Sequence, residues 1–175
     1  MRIINEQGRS HEFPAGITIG EILRAPEMGA PGLIVAARLD HVPVSLSTRI
    51  HADARIHPIT TNTVEGRRIY ERSLVLVLFR AFADLFPEGR LRSLHSISKG
   101  IYHSTEIGRP LTGEDVERLR RRMGELIAAD IPFEDLELPR EEALAHFRGL
   151  GLSDRSTLLE TFPLPMVPMT RLDGM

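Results

Sequence analysis

Apolar and polar residues alternate in short runs over the first sixty or so positions and recur at helical spacing from residue 64 onward. The short runs read as strands. Residues 2–5 and 10–13 flank Glu6-Gln7-Gly8-Arg9, a turn with glycine where a hairpin favours it. Thr18-Ile19-Gly20-Glu21 is a capping box, in which hydroxyl and carboxylate each satisfy a free backbone N–H. The short helix it opens ends before Pro26. Residues 33–39 form a strongly apolar strand, and Asp40-His41 turns it into Val42-Pro43-Val44, where the proline marks a sheet edge. Residues 54–59 close the set. A short helix laid across a small mixed sheet is a β-grasp-like layer.

The second part opens with a long helix over residues 64–86. Its core stripe is read as Ile69, Leu76, Phe79, Ala83 and Phe86, and Pro87-Glu88-Gly89 stops it. Residues 94–97 and 101–105 follow as strands around Ser98-Lys99-Gly100, read as a three-residue loop with glycine in the left-handed position. That register pairs Ile97 with Ile101 and His95 with His103. Thr112-Gly113-Glu114-Asp115 caps a second helix, with Val116, Leu119, Met123, Leu126 and Ile127 on one face and Glu114, Asp115 and Glu117 at its dipole-positive end. Pro132 breaks it, and residues 133–138 alternate as a strand. Pro139 starts a third helix running to about Arg148, with Gly149 and Gly151 ending it, and Ser153 caps a last short one. From Phe162 the proline-rich tail shows no period and is read as extended or disordered. The fold class is therefore α+β, with domains at 1–62 and 63–160 and a tail at 161–175.

Composition narrows the function classes. The chain has 175 residues, and its net charge of −2 gives no global push toward nucleic acid or membrane. It contains no cysteine, which excludes a disulfide framework, a thiolate zinc site and a cysteine nucleophile. Met1-Arg2-Ile3-Ile4 runs straight into polar residues, unlike a signal peptide, and the longest apolar run, 74–79, is too short to span a bilayer. A cytoplasmic protein of bacterial type is expected. Lys99 is the only lysine, placed at the hairpin tip in a chain otherwise reliant on arginine. Arg67, Arg68 and Arg72 cluster on the first long helix, and Arg118, Arg120, Arg121 and Arg122 on the second. Both clusters suit RNA phosphates, or else a solvated face paired with nearby acids. His11, His41, His51, His57 and His146 show no metal-ligand spacing, and no metal is expected.

Four stretches carry a resemblance: Ile69-Tyr70-Glu71-Arg72-Ser73, Leu85-Phe86-Pro87, Lys99-Gly100-Ile101-Tyr102, and Leu111-Thr112-Gly113-Glu114-Asp115-Val116-Glu117 with Arg122-Met123. Residues 1–62 resemble a TGS domain. Residues 63–160 resemble the second, editing domain of threonyl-tRNA synthetase. The hairpin His95-Ser96-Ile97-Ser98-Lys99-Gly100-Ile101-Tyr102 further resembles the amino-terminal half of bacterial uridine kinase-like nucleoside kinases, as does the tail Pro165-Met166-Val167-Pro168.

Departures from both patterns shape what the resemblance implies. The synthetase's two helix histidines align with Leu76 and Arg80, and its cysteine has no counterpart. A P-loop of the form Gly-x-x-x-x-Gly-Lys-Ser/Thr is absent, because Ser98 precedes the one lysine. The chain thus reads as an accessory ligand- or RNA-binding module without catalysis of its own, ATP and Mg belonging to the missing kinase domain. The alternatives are a tRNA-editing hydrolase or a structural interaction module. The implied partners are a P-loop kinase domain or subunit and a tRNA or nucleotide, with no membrane. The groove that receives the aminoacylated tRNA end in the synthetase implies a site of Ser73, Arg80, His95, Ser98, Lys99, Tyr102 and His103. Arg67, Arg68, Arg118, Arg121 and Arg122 are the implied RNA contacts. An Arg80–Asp84 pair one helical turn apart is the simpler use of Arg80.

Overall fold

The computed structural model describes residues 1–97, 100–149, 153–161 and 164–172. The expectations for Ser98, Lys99, Gly151, Phe162 and Pro163 lie outside the described residues. The architecture is mixed α+β in two compact units, Met1–Val75 and Leu76–Met175.

The first unit contains strands β1 (Arg2–Ile4), β2 (Ser10–Glu12), β3 (Ile34–Leu39), β4 (Val42–Val44) and β5 (Ala54–Thr60). Helix α1 (Ile19–Arg24) lies between β2 and β3, and α2 (Val64–Leu85) begins after β5. The sheet order is β2-β1-β5-β3-β4, with β1 parallel to β5 and the other pairs antiparallel. Both halves of the α1 capping box form: the Thr18 N–H donates to Glu21 Oε2 at 2.9 Å and the Glu21 N–H to Thr18 Oγ1 at 3.3 Å. From α1, Ile19, Ile22 and Leu23 pack with Ile3, Met28, Ala37, Ile50 and Ile56, an i, i+3, i+4 stripe closing one sheet face. Asp40 and His41, with φ of 45° and 79°, make the two-residue turn that sets Leu39 opposite Val42.

The second unit holds the rest of α2, then β6 (Arg90–Ile97), β7 (Gly100–Glu106), α3 (Gly113–Ala128), β8 (Phe133–Pro139), α4 (Arg140–Gly149), α5 (Ser153–Thr161) and β9 (Met166–Leu172). Its larger core gathers Val77, Ala81 and Phe82 from α2 with Leu91, Leu119, Leu126 and Leu172. A smaller one joins Ala143, Leu144 and Phe147 to Leu159 and Val167.

Several expectations change here. The proline-rich tail is a strand for much of its length: β9 pairs antiparallel with all seven residues of β8, from Phe133 opposite Leu172 to Pro139 opposite Met166. Its prolines hid the period, yet Val167 and Leu172 are buried. Pro139 ends β8 instead of opening α4. Ala83 is exposed, and the buried stripe of α2 runs through Val77, Ala81 and Phe82, because the run at residues 74–79 is apolar on every side and does not declare which side will be covered. On α3, Val116 and Ile127 face solvent, 51% and 56% exposed, flanking the narrower stripe of Leu119 and Leu126. The hairpin register also differs. Ile97 lies opposite Gly100 and Ser96 opposite Ile101, and a shift between Ser93 and Ser96 puts His103 opposite Ser93, not His95. Such an irregularity re-aims side chains along the strand and is invisible to a count from the turn.

Candidate functional site

The β6–β7 hairpin carries the residues on which a binding site was expected. His95 on β6 and Tyr102 on β7 lie with ring centroids 5.7 Å apart at 35°, both exposed. Tyr102 is 49% exposed, and Leu94 and Ile101 on the same hairpin also reach solvent. An aromatic pair open to water on a two-stranded sheet is a surface on which a planar group can stack.

His103 behaves differently. It is half-buried, and its Nδ1 is buried without a hydrogen-bond partner among the described residues. Burial pushes its pKa below the usual imidazole value, because the cation loses hydration that nothing replaces. The register separates it from His95, so the hairpin does not present two facing imidazoles.

Arg80 is committed to Asp84, 3.0 Å away one helical turn on. Asp84 also accepts from Arg122 Nε of α3 at 2.8 Å, and Arg122 reaches Glu125 at 3.0 Å. One carboxylate thus ties α2 to α3 through two guanidinium groups, and the acids beside Arg122 raise its pKa. Leu76, the other position where the resemblance places a histidine, is half-buried against the larger core. Ser73 lies on the part of α2 that belongs to the first unit, and its hydroxyl donates to the Ile69 carbonyl at 3.1 Å.

The arginines of α3 are largely occupied. Arg118 lies 3.7 Å from Asp115 and sits over the Phe86 ring at 6.0 Å, and Arg120 is 3.9 Å from Glu117. Arg121 is exposed with no ion-pair partner among the described residues. On α2, Arg67 donates to the Asn62 carbonyl at 3.5 Å, while Arg68 is exposed and unpaired among the described residues.

Sequence reasoning placed Asp115 in the cap of α3 and at its dipole-positive end, and missed its principal partner. Asp115 is 3% exposed and receives two hydrogen bonds from Arg109, at 2.5 and 3.0 Å, besides the Thr112 N–H at 3.0 Å. The Arg109 guanidinium, then the Thr112 N–H, hold its carboxyl well below the usual carboxylate range. The signal available was an arginine three residues before the cap, which alone says nothing about direction.

Among the described residues no group of three His, Asp or Glu side chains is arranged to hold a metal ion, and no helix is long and apolar enough to cross a membrane.

No protein-family model matches the chain. Curated proteins similar to it are threonine–tRNA ligases. That of Methylococcus capsulatus is 33% identical over 156 residues, covering 89% of this chain and 24% of the relative. That of Desulforamulus reducens is 32% identical over 148 residues, covering 85% and 23%. That of Symbiobacterium thermophilum is 31% identical over 158 residues, covering 89% and 24%. The chain spans about a quarter of the length of these relatives. The synthetase likeness read from the sequence is therefore matched across most of the chain. The nucleoside-kinase likeness has no counterpart among these three, and two residues of its hairpin motif, Ser98 and Lys99, lie outside the described residues.

Proposed function

We propose that this chain is a tRNA-related accessory module of the threonyl-tRNA synthetase type, which holds RNA and does no chemistry on it. The observation that carries the proposal is its similarity to threonine–tRNA ligases over 89% of its length. The sheet order of the first unit, with a parallel β1/β5 pair and α1 packed on the sheet, supports reading it as a TGS-like β-grasp domain. Loss of chemistry is supported by the two α2 positions. Two imidazoles spaced i, i+4 on one helix face could meet a single substrate. Leu76 instead serves the core and Arg80 is bound to Asp84. Neither side chain can take up and return a proton near neutral pH. The proposed contact on the second unit is the open hairpin face of His95 and Tyr102, where a base of the RNA end stacks.

An editing hydrolase is the second reading, favoured by the same relatives. One set of experiments separates the two. The purified chain is titrated with a tRNA acceptor-stem minihelix and with uridine nucleotides, watched by amide NMR shifts, and assayed for deacylation of Ser-tRNA(Thr). Shifts on β6 and β7 with the minihelix, and no deacylation above the buffer rate, are expected. Deacylation that disappears on His103→Ala would establish the hydrolase instead. Absence of hairpin shifts at millimolar RNA removes the binding proposal, and shifts with nucleotide alone redirect it toward the kinase-associated ligand.

A further inference from the structure

A strand edge open to solvent is a template for a further strand, and natural sheets blunt such edges with charge, proline, brevity or a bulge. Among the described residues, β2, β4, β6, β7, β8 and β9 each have an edge with no neighbouring strand. All but β7 are blunted. β2 and β4 are three residues long, and β4 carries Pro43. β6 carries Arg90 and Arg92 and a register shift between Ser93 and Ser96. β8 carries Glu134 and Glu137, and β9 carries Pro168 and Arg171. β7 has none of these devices: from Gly100 to Thr105 it holds neither proline nor an acidic or basic chain other than His103. Burial lowers the pKa of His103, so the run is uncharged at neutral pH. The outer edge of β7 makes no backbone hydrogen bond among the described residues, and Ile101 and Tyr102 on it are 37% and 49% exposed. Isoleucine, tyrosine and threonine are residues that favour strand pairing.

We infer that the outer edge of β7 is an interface between two copies of this chain, which pair β7 with β7 antiparallel into one four-stranded sheet. Charge selects the occupant. A strand laid on this edge must itself be uncharged, or it brings a charge into the pairing without a partner. Among the described edge strands longer than three residues, only β7 offers such a run. Closure selects it too. Pairing two β7 edges gives the order β6-β7-β7-β6, with a β6 on each outer side. There Arg90, Arg92 and the register shift stop further growth, as a twofold interface requires. The register that overlaps the whole strand centres on His103 and sets Ile101 opposite Thr105 and Tyr102 opposite Ser104, pairs free of like charges. The inference is independent of the RNA-holding function proposed above, which uses the face of the hairpin and not its edge.

The test is sedimentation equilibrium of the full chain from micromolar to millimolar concentration, with amide hydrogen exchange followed over the same series. A single strand pair lies at the small, transient end of interfaces, below about 1,200 Å². The dimer should therefore appear in the upper part of this range. Alternate amides of β7 should become protected with it, because only every second N–H of a strand faces outward. Ile101→Lys should weaken dimerisation roughly 2- to 30-fold, since twofold symmetry counts each lost cross-strand pair twice. Leu94→Lys, on β6 of the same hairpin and at a position 53% exposed, should leave it unchanged. Circular dichroism verifies that both variants keep the fold of the parent, and the exchange measurement on the parent requires neither variant. A parent that stays monomeric at millimolar concentration overturns the inference. So does a dimer whose β7 amides exchange as they do in the monomer, or association that continues past two copies. A dimer that Leu94→Lys weakens as much as Ile101→Lys overturns it as well, and makes the apolar face of the hairpin the interface instead.

Discussion

Replacing Gly66 with alanine should destabilise the first unit, although alanine is the better helix former. Gly66 lies in the first turn of α2 and is buried. A Cβ built there would sit 2.0 Å from the Thr60 carbonyl oxygen, 2.5 Å from the Thr60 carbonyl carbon and 3.2 Å from the Thr61 nitrogen. Merely reaching a 3.0 Å separation requires about 1 Å of retreat, and the obstacle is backbone, which cannot swing aside. The Thr60 carbonyl is itself held. It accepts from the Thr63 hydroxyl at 2.9 Å and the Thr63 N–H at 3.0 Å, and that hydroxyl accepts from the Gly66 N–H at 3.0 Å. Retreat therefore strains the cap of α2 as well. Overpacking of this kind costs about 1–3 kcal/mol, and a weakened cap about 1 kcal/mol more. The helix-propensity gain of alanine over glycine returns up to about 1 kcal/mol. The net is a loss of about 2 kcal/mol, or a fall in Tm of roughly 8–16 °C for a unit of this size. Gly124 on α3 supplies the control. Its Cβ would meet nothing within 4 Å, so Gly124→Ala should gain about 0.5–1 kcal/mol. Differential scanning calorimetry with far-UV circular dichroism reads both variants. An unchanged or higher Tm for Gly66→Ala would refute the close approach of α2 to Thr60.

Asp115→Asn should lower Tm at neutral pH. The folded state holds that carboxyl below its ordinary value of 3.8, so the stability it contributes is present above that pH and is lost as pH falls, and the gap between variant and parent should close in acid. His103→Phe should remove a pH dependence: burial depresses the folded pKa below 6.5, so the parent is at full stability above that value and loses stability as pH falls beneath it, while the variant's thermal melts should not respond there. Leu172→Ala, at a position 2% exposed, should cost about 2–5 kcal/mol in urea unfolding. Met166→Ala at the other end of β9, 41% exposed, should stay within about 0.5 kcal/mol. Equal effects of the two would contradict the packed strand in place of a loose tail.

The features legible in the residues alone were local ones. The capping boxes Thr18/Glu21 and Thr112/Asp115 form as read, because a cap is completed within four residues. The Asp40-His41 turn and the span of α2 before Pro87 follow likewise from chemistry confined to neighbours in the chain. The pair of Arg80 with Asp84 was legible because helical geometry alone brings i and i+4 together. Packing, in contrast, selected which of several permitted faces is covered and which distant group answers a given one. Nothing in α3 distinguishes Leu119 from Val116 or Ile127 until β6, α2 and β9 contribute Leu91, Phe82 and Leu172 to one side. The proline-bearing strand β9 shows its period only against β8, since pairing, not propensity, holds it extended. The candidate site divides in the same way. Tyr102 and the arginines were visible as residue types, but their availability was not. Arg122 is spent on Asp84, 38 residues away, whereas Arg68 and Arg72 have no ion-pair partner among the described residues. Ion pairs between helices depend on how the helices pack, and packing is settled by buried area summed over the whole unit, a quantity no local window contains.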